Sequence, residues 1–168
     1  MTQIAIISAT SGNNLKLAKE LQKVVTNAGA KPVLVNLEEY PMPVYTPPQE
    51  KSGVPEKAAE LTEILSNSQG MIFCAPEYNG SIPPIVNNAI AWVSRTGSDW
   101  RGAFNDKVAV VGTHSGGGGL KVCQAMRQQL EHVGCTVLAR PIITNNQKEL
   151  NPESADTIVG LLIRLAGK

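Results

Sequence analysis

The chain lacks any block of like charge, any long apolar run and any paired cysteine motif, and each absence removes a class of function. Its 15 basic and 14 acidic residues leave a formal net charge of +1 and are dispersed along the chain. There is therefore no electrostatic footprint for nucleic acid or for an anionic membrane. No apolar stretch approaches the roughly 20 residues that cross a bilayer as a helix, so no membrane partner is expected. The opening residues lead straight into an apolar strand, without the basic start and small-residue cleavage site of a secretion signal. A cytoplasmic location is the expectation. Cys74, Cys123 and Cys135 form neither a CxxC pair nor a zinc spacing, and they read as small buried hydrophobes. With only two histidines besides, no metal-ligand set is present. Two glycine patterns of nucleotide sites are also missing: there is no GxxxxGK[ST] and no GxGxxG.

What the chain does have is alternation. Its 168 residues, 42% of them hydrophobic, suffice for one domain with a substantial core, expected to span residues 1–168. Short continuous apolar runs at Ile4–Ile7, Val33–Leu37, Met71–Cys74, Val108–Val111 and Val137-Leu138 predict strands buried on both faces. Helical spacing fills the intervals. Leu15, Ala18, Leu21, Val24 and Val25 share a face that Gly29 ends, with Asn13 or Asn14 as the expected N-cap. A second helix is predicted over residues 55–67, and a third opens at Pro83-Pro84, where a missing N–H costs least. A fourth carries Val122, Met126, Leu130 and Val133 and is closed by Gly134; a last one opens at Asn151-Pro152. Residues 39–50 are proline-rich, with little regular structure expected, and long for an internal loop. Five strand–helix alternations predict an α/β protein with a parallel sheet covered by helices on both faces.

Three loops that follow strands concentrate Ser, Thr, Asn and Gly. In an open α/β sheet, ligands bind at the carboxyl ends of the strands. The first loop offers Ser8, Thr10, Ser11, Gly12, Asn13 and Asn14 at a helix start, where free N–H groups favour phosphate. The second offers Pro76, Glu77, Tyr78, Asn79 and Gly80: a flat aromatic surface and backbone donors suited to a planar heterocycle. The third, His114, Ser115, Gly116 and Gly117, belongs to a loop with four consecutive glycines that expose backbone amides. Each loop alone also reads as an ordinary turn.

The run Pro76-Glu77-Tyr78-Asn79-Gly80-Ser81, followed by a helix with Asn88-Ala89-Ile90-x-Trp92-x-Ser94-Arg95, resembles the NAD(P)H-dependent FMN reductase family. The resemblance covers about twenty residues in register. It implies a flavodoxin-like three-layer sandwich with a five-stranded parallel sheet in the order 2-1-3-4-5. In that order the loops after strands one, three and four open on one sheet edge. The resemblance therefore also implies FMN held by the three loops, with His114, Ser115, Gly116 and Gly117 as the matching positions of the third. It further implies NADPH or NADH as hydride donor, and a small-molecule electron acceptor such as a flavin, quinone or azo compound. A homodimer or homotetramer is implied, built on the face around Asn88 to Arg95. The family usually carries an arginine in the first loop; here Ser8, Thr10, Ser11 and Asn14 remain and the arginine is absent. No catalytic side chain is expected, because the cofactor carries the chemistry; Glu77 is the nearest candidate. Two other readings stay open. A flavodoxin-like FMN electron carrier fits the fold, although flavodoxins are usually markedly acidic. A serine hydrolase using Ser115 would need glycine where Thr113 stands, and only His132 follows it.

Overall fold

A computed structural model describes residues Met1–Lys168. The strands β1 (Gln3–Ser8), β2 (Lys31–Asn36), β3 (Gly70–Cys74), β4 (Val108–His114) and β5 (Thr136–Val137) form a parallel sheet in the order β2-β1-β3-β4-β5. This is the order implied by the resemblance. Helices α1 (Asn13–Asn27) and α6 (Pro152–Ala166) cover one face; α3 (Glu56–Ser66), α4 (Pro84–Ser94) and α5 (Leu120–His132) cover the other. The two-residue period of a strand divides the core. Ala5, Ile7, Met71, Phe73, Ala109 and Val111 point to the α3–α5 side, and Ile4, Ile6, Ile72, Cys74, Val108 and Val110 to the α1–α6 side. No helix is long and apolar enough to cross a membrane.

The helix boundaries follow their punctuation. Pro84 stands at the first position of α4, and Asn151 caps α6 by accepting from the Ser154 amide at 2.8 Å. Gly29 and Gly134 take positive φ angles just past α1 and α5, where an L side chain would be strained. Predicted and observed bounds of α3 agree to within a residue at each end.

One expectation is corrected. The fifth strand is not a single run at Val137-Leu138. The sheet edge beside β4 is built from two fragments, β5 and β6 (Ile142–Thr144), both parallel to β4. Pro141 interrupts them, because it has no N–H for the ladder. The proline-rich stretch has little regular structure, as expected. It leads from a 3₁₀ turn at Leu37–Glu39 into a short helix, α2 (Pro47–Lys51), capped by the Thr46 hydroxyl. Between them the chain lies as a strap across α4. Asn88 accepts from the Tyr45 amide at 2.8 Å and donates to the Pro43 carbonyl at 3.1 Å; the Trp92 indole donates to that carbonyl at 2.7 Å. Trp92 is thus core, fully buried and edge-on to Tyr45. The Asn88–Arg95 face expected to meet another subunit is covered in large part by the chain's own strap.

Candidate functional site

The loops after β1, β3 and β4 converge at the carboxyl end of the sheet because those three strands are neighbours in it. A cleft of about 370 Å³ opens there. Thr10, Asn13 and Asn14 line it from the first loop, Pro76, Glu77 and Tyr78 from the second, and His114, Ser115 and Gly116 from the third. Ser8, Ser11, Gly12, Asn79, Gly80 and Gly117 do not line it; they shape the loops that do. A larger groove, about 640 Å³, runs between α1 and α6 and adjoins the cleft at Asn13 and His114. Lys16, Lys23, Glu20, Glu149 and Asp156 border that groove, a mixture of signs at the surface, and the three loops do not converge in it.

Asn14 ties the first loop to the third. It is not the N-cap: Gly12 holds that position and has no side chain to cap with. Asn14 sits inside the first turn, buried, donating to the His114 carbonyl at 2.9 Å and accepting from the His114 amide at 2.8 Å. One side-chain amide thereby pairs with both backbone groups of a residue a hundred positions away, as a neighbouring strand would. With no capping side chain, the amides of Thr10, Gly12, Asn13 and Asn14 find no acceptor within the chain. They are the unpaired donors of a helix start that favour an anion or a polar ligand. The Ser8 hydroxyl is turned inward, donating to the Thr10 carbonyl at 2.8 Å, so Ser8 sets the turn instead of facing the cleft.

The second loop is a tight hairpin. Tyr78 and Ser81 exchange both backbone hydrogen bonds, at 3.0 and 2.9 Å, around Asn79 (φ 52°) and Gly80 (φ 73°). Two consecutive positive φ angles are what an Asn-Gly turn provides. The Tyr78 amide is therefore not free for a ligand, as the sequence had suggested. Its ring is about half exposed at the cleft. Glu77 has a structural use as well as a place in the cleft wall. Its carboxylate accepts from the Val122 amide at 3.3 Å, in the first turn of α5, whose own N-cap, Gly119, has no side chain.

The third loop keeps its glycines for two reasons. Gly119 has φ 67°, and a Cβ there would lie 2.6 Å from Thr113 Cγ2. At Gly116, Gly117 and Gly118 a Cβ would meet nothing within 4 Å. These three present bare backbone to open space, which leaves room for a flat group against the chain. Ser115 is buried; its hydroxyl accepts only a long bond from the Gly117 amide, at 3.4 Å, and no histidine addresses it. The geometry gives no support to a serine nucleophile.

Sequence reasoning missed a fourth wall. Asn146, in the turn after β6, lines the cleft. Thr144 donates to the Thr113 carbonyl at 3.1 Å and faces His114 Nδ1 at 3.2 Å. The hydroxyl has one proton, already given to Thr113, so His114 Nδ1 must be the donor in the second bond. Nε2 then looks toward Asn146, 3.3 Å away. The polar run Asn145-Asn146 was the available signal, but it follows a strand too short to be recognised. No group of His, Cys, Asp and Glu in the structure could hold a metal ion. Burial pushes the thiols of Cys74, Cys123 and Cys135 up to about 12, so none is a ready nucleophile.

The cleft fits the flavin implied by the sequence: free amides at a helix start, an aromatic face, and bare glycine backbone before open space. Residues 2–149 match the family described as NADPH-dependent FMN reductase. A quinone reductase of Escherichia coli K12 is 27% identical over 163 residues, which is 92% of this chain and 83% of that protein. An uncharacterised Mycoplasma pneumoniae protein is 34% identical over 94 residues; the match spans 55% of this chain and about half, 54%, of that relative. Among solved structures, the flavoenzyme NAD(P)H:(acceptor) oxidoreductase FerB of Paracoccus denitrificans superimposes with a TM-score of 0.77, at 22% identity, covering 99% of this chain and 96% of that one. This last likeness concerns the fold.

Proposed function

The chain belongs to the NADPH-dependent FMN reductase family and is thereby an FMN-dependent NAD(P)H oxidoreductase; from that premise we propose that it holds FMN in the cleft at the carboxyl end of the sheet and reduces quinones. When bound, FMN supplies the two-electron chemistry that no side chain here provides. The observation that carries the site is the Asn14–His114 pair, which locks the first and third loops into one wall. The free amides of Thr10, Gly12, Asn13 and Asn14 would hold the phosphate end. The Tyr78 face and the bare Gly116 backbone would flank the ring and keep water from it. Asn146 and His114 would close the side toward β6. Quinone as acceptor rests on the quinone reductase relative.

The remaining expectations complete the reading. Residues 1–168 form one FMN-binding domain, and the protein assembles as a homodimer or homotetramer. The strap over α4, where Val44 is 78% exposed, is the surface that a second copy would meet. A monomeric mass in solution would remove the assembly.

The deciding experiment is spectroscopic. The purified chain is mixed with FMN, freed of excess, and given NADH or NADPH without oxygen. Flavin that stays with the protein and bleaches within seconds, then recovers on adding a quinone, is the expected result. Bound flavin that no nicotinamide bleaches would make the protein a carrier. Asn14→Ala should weaken FMN binding; unchanged binding would show that the Asn14–His114 pair serves the fold and does not shape the flavin site.

A further inference from the structure

The phosphate end of the cleft carries an uncommon neighbour. Glu38, in the 3₁₀ turn after β2, accepts from the Ser11 amide at 3.0 Å. Asn36 holds it in place. Its side chain accepts from the Glu38 amide at 3.3 Å and donates to the Ser11 hydroxyl at 2.9 Å and to Glu39 at 3.1 Å. Asn36 is buried at the end of β2 and ties together three exposed residues, Ser11, Glu38 and Glu39. A carboxylate thus takes one amide of the loop whose Thr10, Gly12, Asn13 and Asn14 amides are free, and it brings a negative charge to the spot. No lysine or arginine lines the cleft to offset it.

A flavin phosphate carries between one and two negative charges near neutral pH. A loop that holds it by neutral amides beside a carboxylate bonded to the Ser11 amide gains less from that charge than a loop with a cation. Resting on the reading that flavin occupies the cleft, we propose that Glu38 sets cofactor selectivity at the phosphate end: by occupying the Ser11 amide and repelling phosphate, it makes the protein accept flavin without a phosphate, riboflavin, nearly as well as FMN. The same carboxylate makes FMN binding strengthen with added salt, because screening acts on the repulsion. Glu38 here tunes binding and touches none of the reacting atoms.

The test is a pair of dissociation constants, for FMN and for riboflavin, from flavin fluorescence quenching, in the unaltered protein and in Glu38→Gln. Glutamine keeps an oxygen for the Ser11 amide and removes only the charge. The unaltered protein should bind the two flavins within about threefold of each other, and Glu38→Gln should tighten FMN about tenfold while leaving riboflavin alone. FMN binding by the unaltered protein should tighten between low and moderate salt, and that dependence should shrink in the variant. Glu39→Gln, whose carboxylate meets Asn36 and not the loop, should change neither flavin. If Glu38→Gln shifts both flavins alike, or weakens FMN, Glu38 is a structural latch and the proposal fails while the flavin site stands. If neither protein binds either flavin at micromolar concentration, the flavin site itself is wrong.

Discussion

The two ends of the sheet treat their polar groups in opposite ways. At the amino end the chain satisfies itself. Lys107, just before β4, donates to the carbonyls of Leu65, Ser66 and Ser68 at 2.5, 2.7 and 2.6 Å, closing the end of α3. The Gln3 amide donates to Gln69, and Gly70 is packed so closely that a Cβ would lie 2.9 Å from Ile4 Cδ1. At the carboxyl end, four amides of the first loop lack acceptors and three glycines face open space. Two of the helices that begin there, α1 and α5, have glycine N-caps without side chains. Groups left unpaired reduce local stability and are the groups that a ligand can pair with. One end holds the fold; the other is kept available.

This contrast can be broken from either side. The largest effect on stability is expected at the amino end. Lys107→Met leaves three carbonyls without their donor and should cost about 3 kcal/mol, read by urea and thermal unfolding. FMN affinity of the folded fraction should not change; a loss of affinity would show that the two ends are coupled. Next comes Asn14→Ala at the other end. Removing two hydrogen bonds should cost about 2 kcal/mol, and flavin affinity should fall tenfold or more, measured by fluorescence titration. Affinity surviving while stability drops would make Asn14 a fold residue only.

Smaller effects are expected away from both ends. The strap is latched by Glu50, which accepts from the Tyr45 hydroxyl at 2.7 Å and pairs with Arg95 at 2.9 Å. The Tyr45 hydroxyl first, then Arg95, holds the Glu50 carboxyl below the usual carboxylate range. A lowered carboxylate contributes above its unfolded pKa, and that contribution is lost as pH falls through the lowered folded value. Amide exchange in the strap should therefore quicken in acid beyond its intrinsic rate, and Glu50→Gln should remove the extra pH dependence. An equal profile in the variant would mean that the latch holds nothing. The smallest effect concerns the thiols. A thiol reagent should modify none of the three cysteines in the native chain and all three in denaturant; a reactive thiol in the native chain would revise the view that the cysteines serve only packing.

Much of the fold was legible because its signals are local. Gly29 and Gly134 end helices for steric reasons, and Pro84 and Pro152 open them because the first turn needs no N–H. Asn79-Gly80 announces a tight hairpin by its tolerance for positive φ. Val137 signals the two-residue β5, but Ile142–Thr144 is too short and too close to Pro141 to stand out, so β6 and the Asn146 wall behind it carry no clear sequence signal. A cap is the local use of asparagine before a helix, which is what the sequence suggests for Asn13 or Asn14, but Gly12 holds that position. The actual partner of Asn14, His114, is adjacent only because β1 and β4 flank β3.

The amino-acid sequence by itself determined the alternating elements, their order along the chain, the split of the core between two sheet faces, and the three polar loops. Each depends on the residue's own preference or on neighbours within a turn or two. The tertiary structure alone decided which side chains meet at the carboxyl end. It turned Ser8 inward, set Glu77 on α5, placed Glu38 on the first loop and joined Asn14 to His114. Those pairings lie between 2 and 100 positions apart along the chain, and the long ones are made by strand order, which no short stretch of sequence encodes.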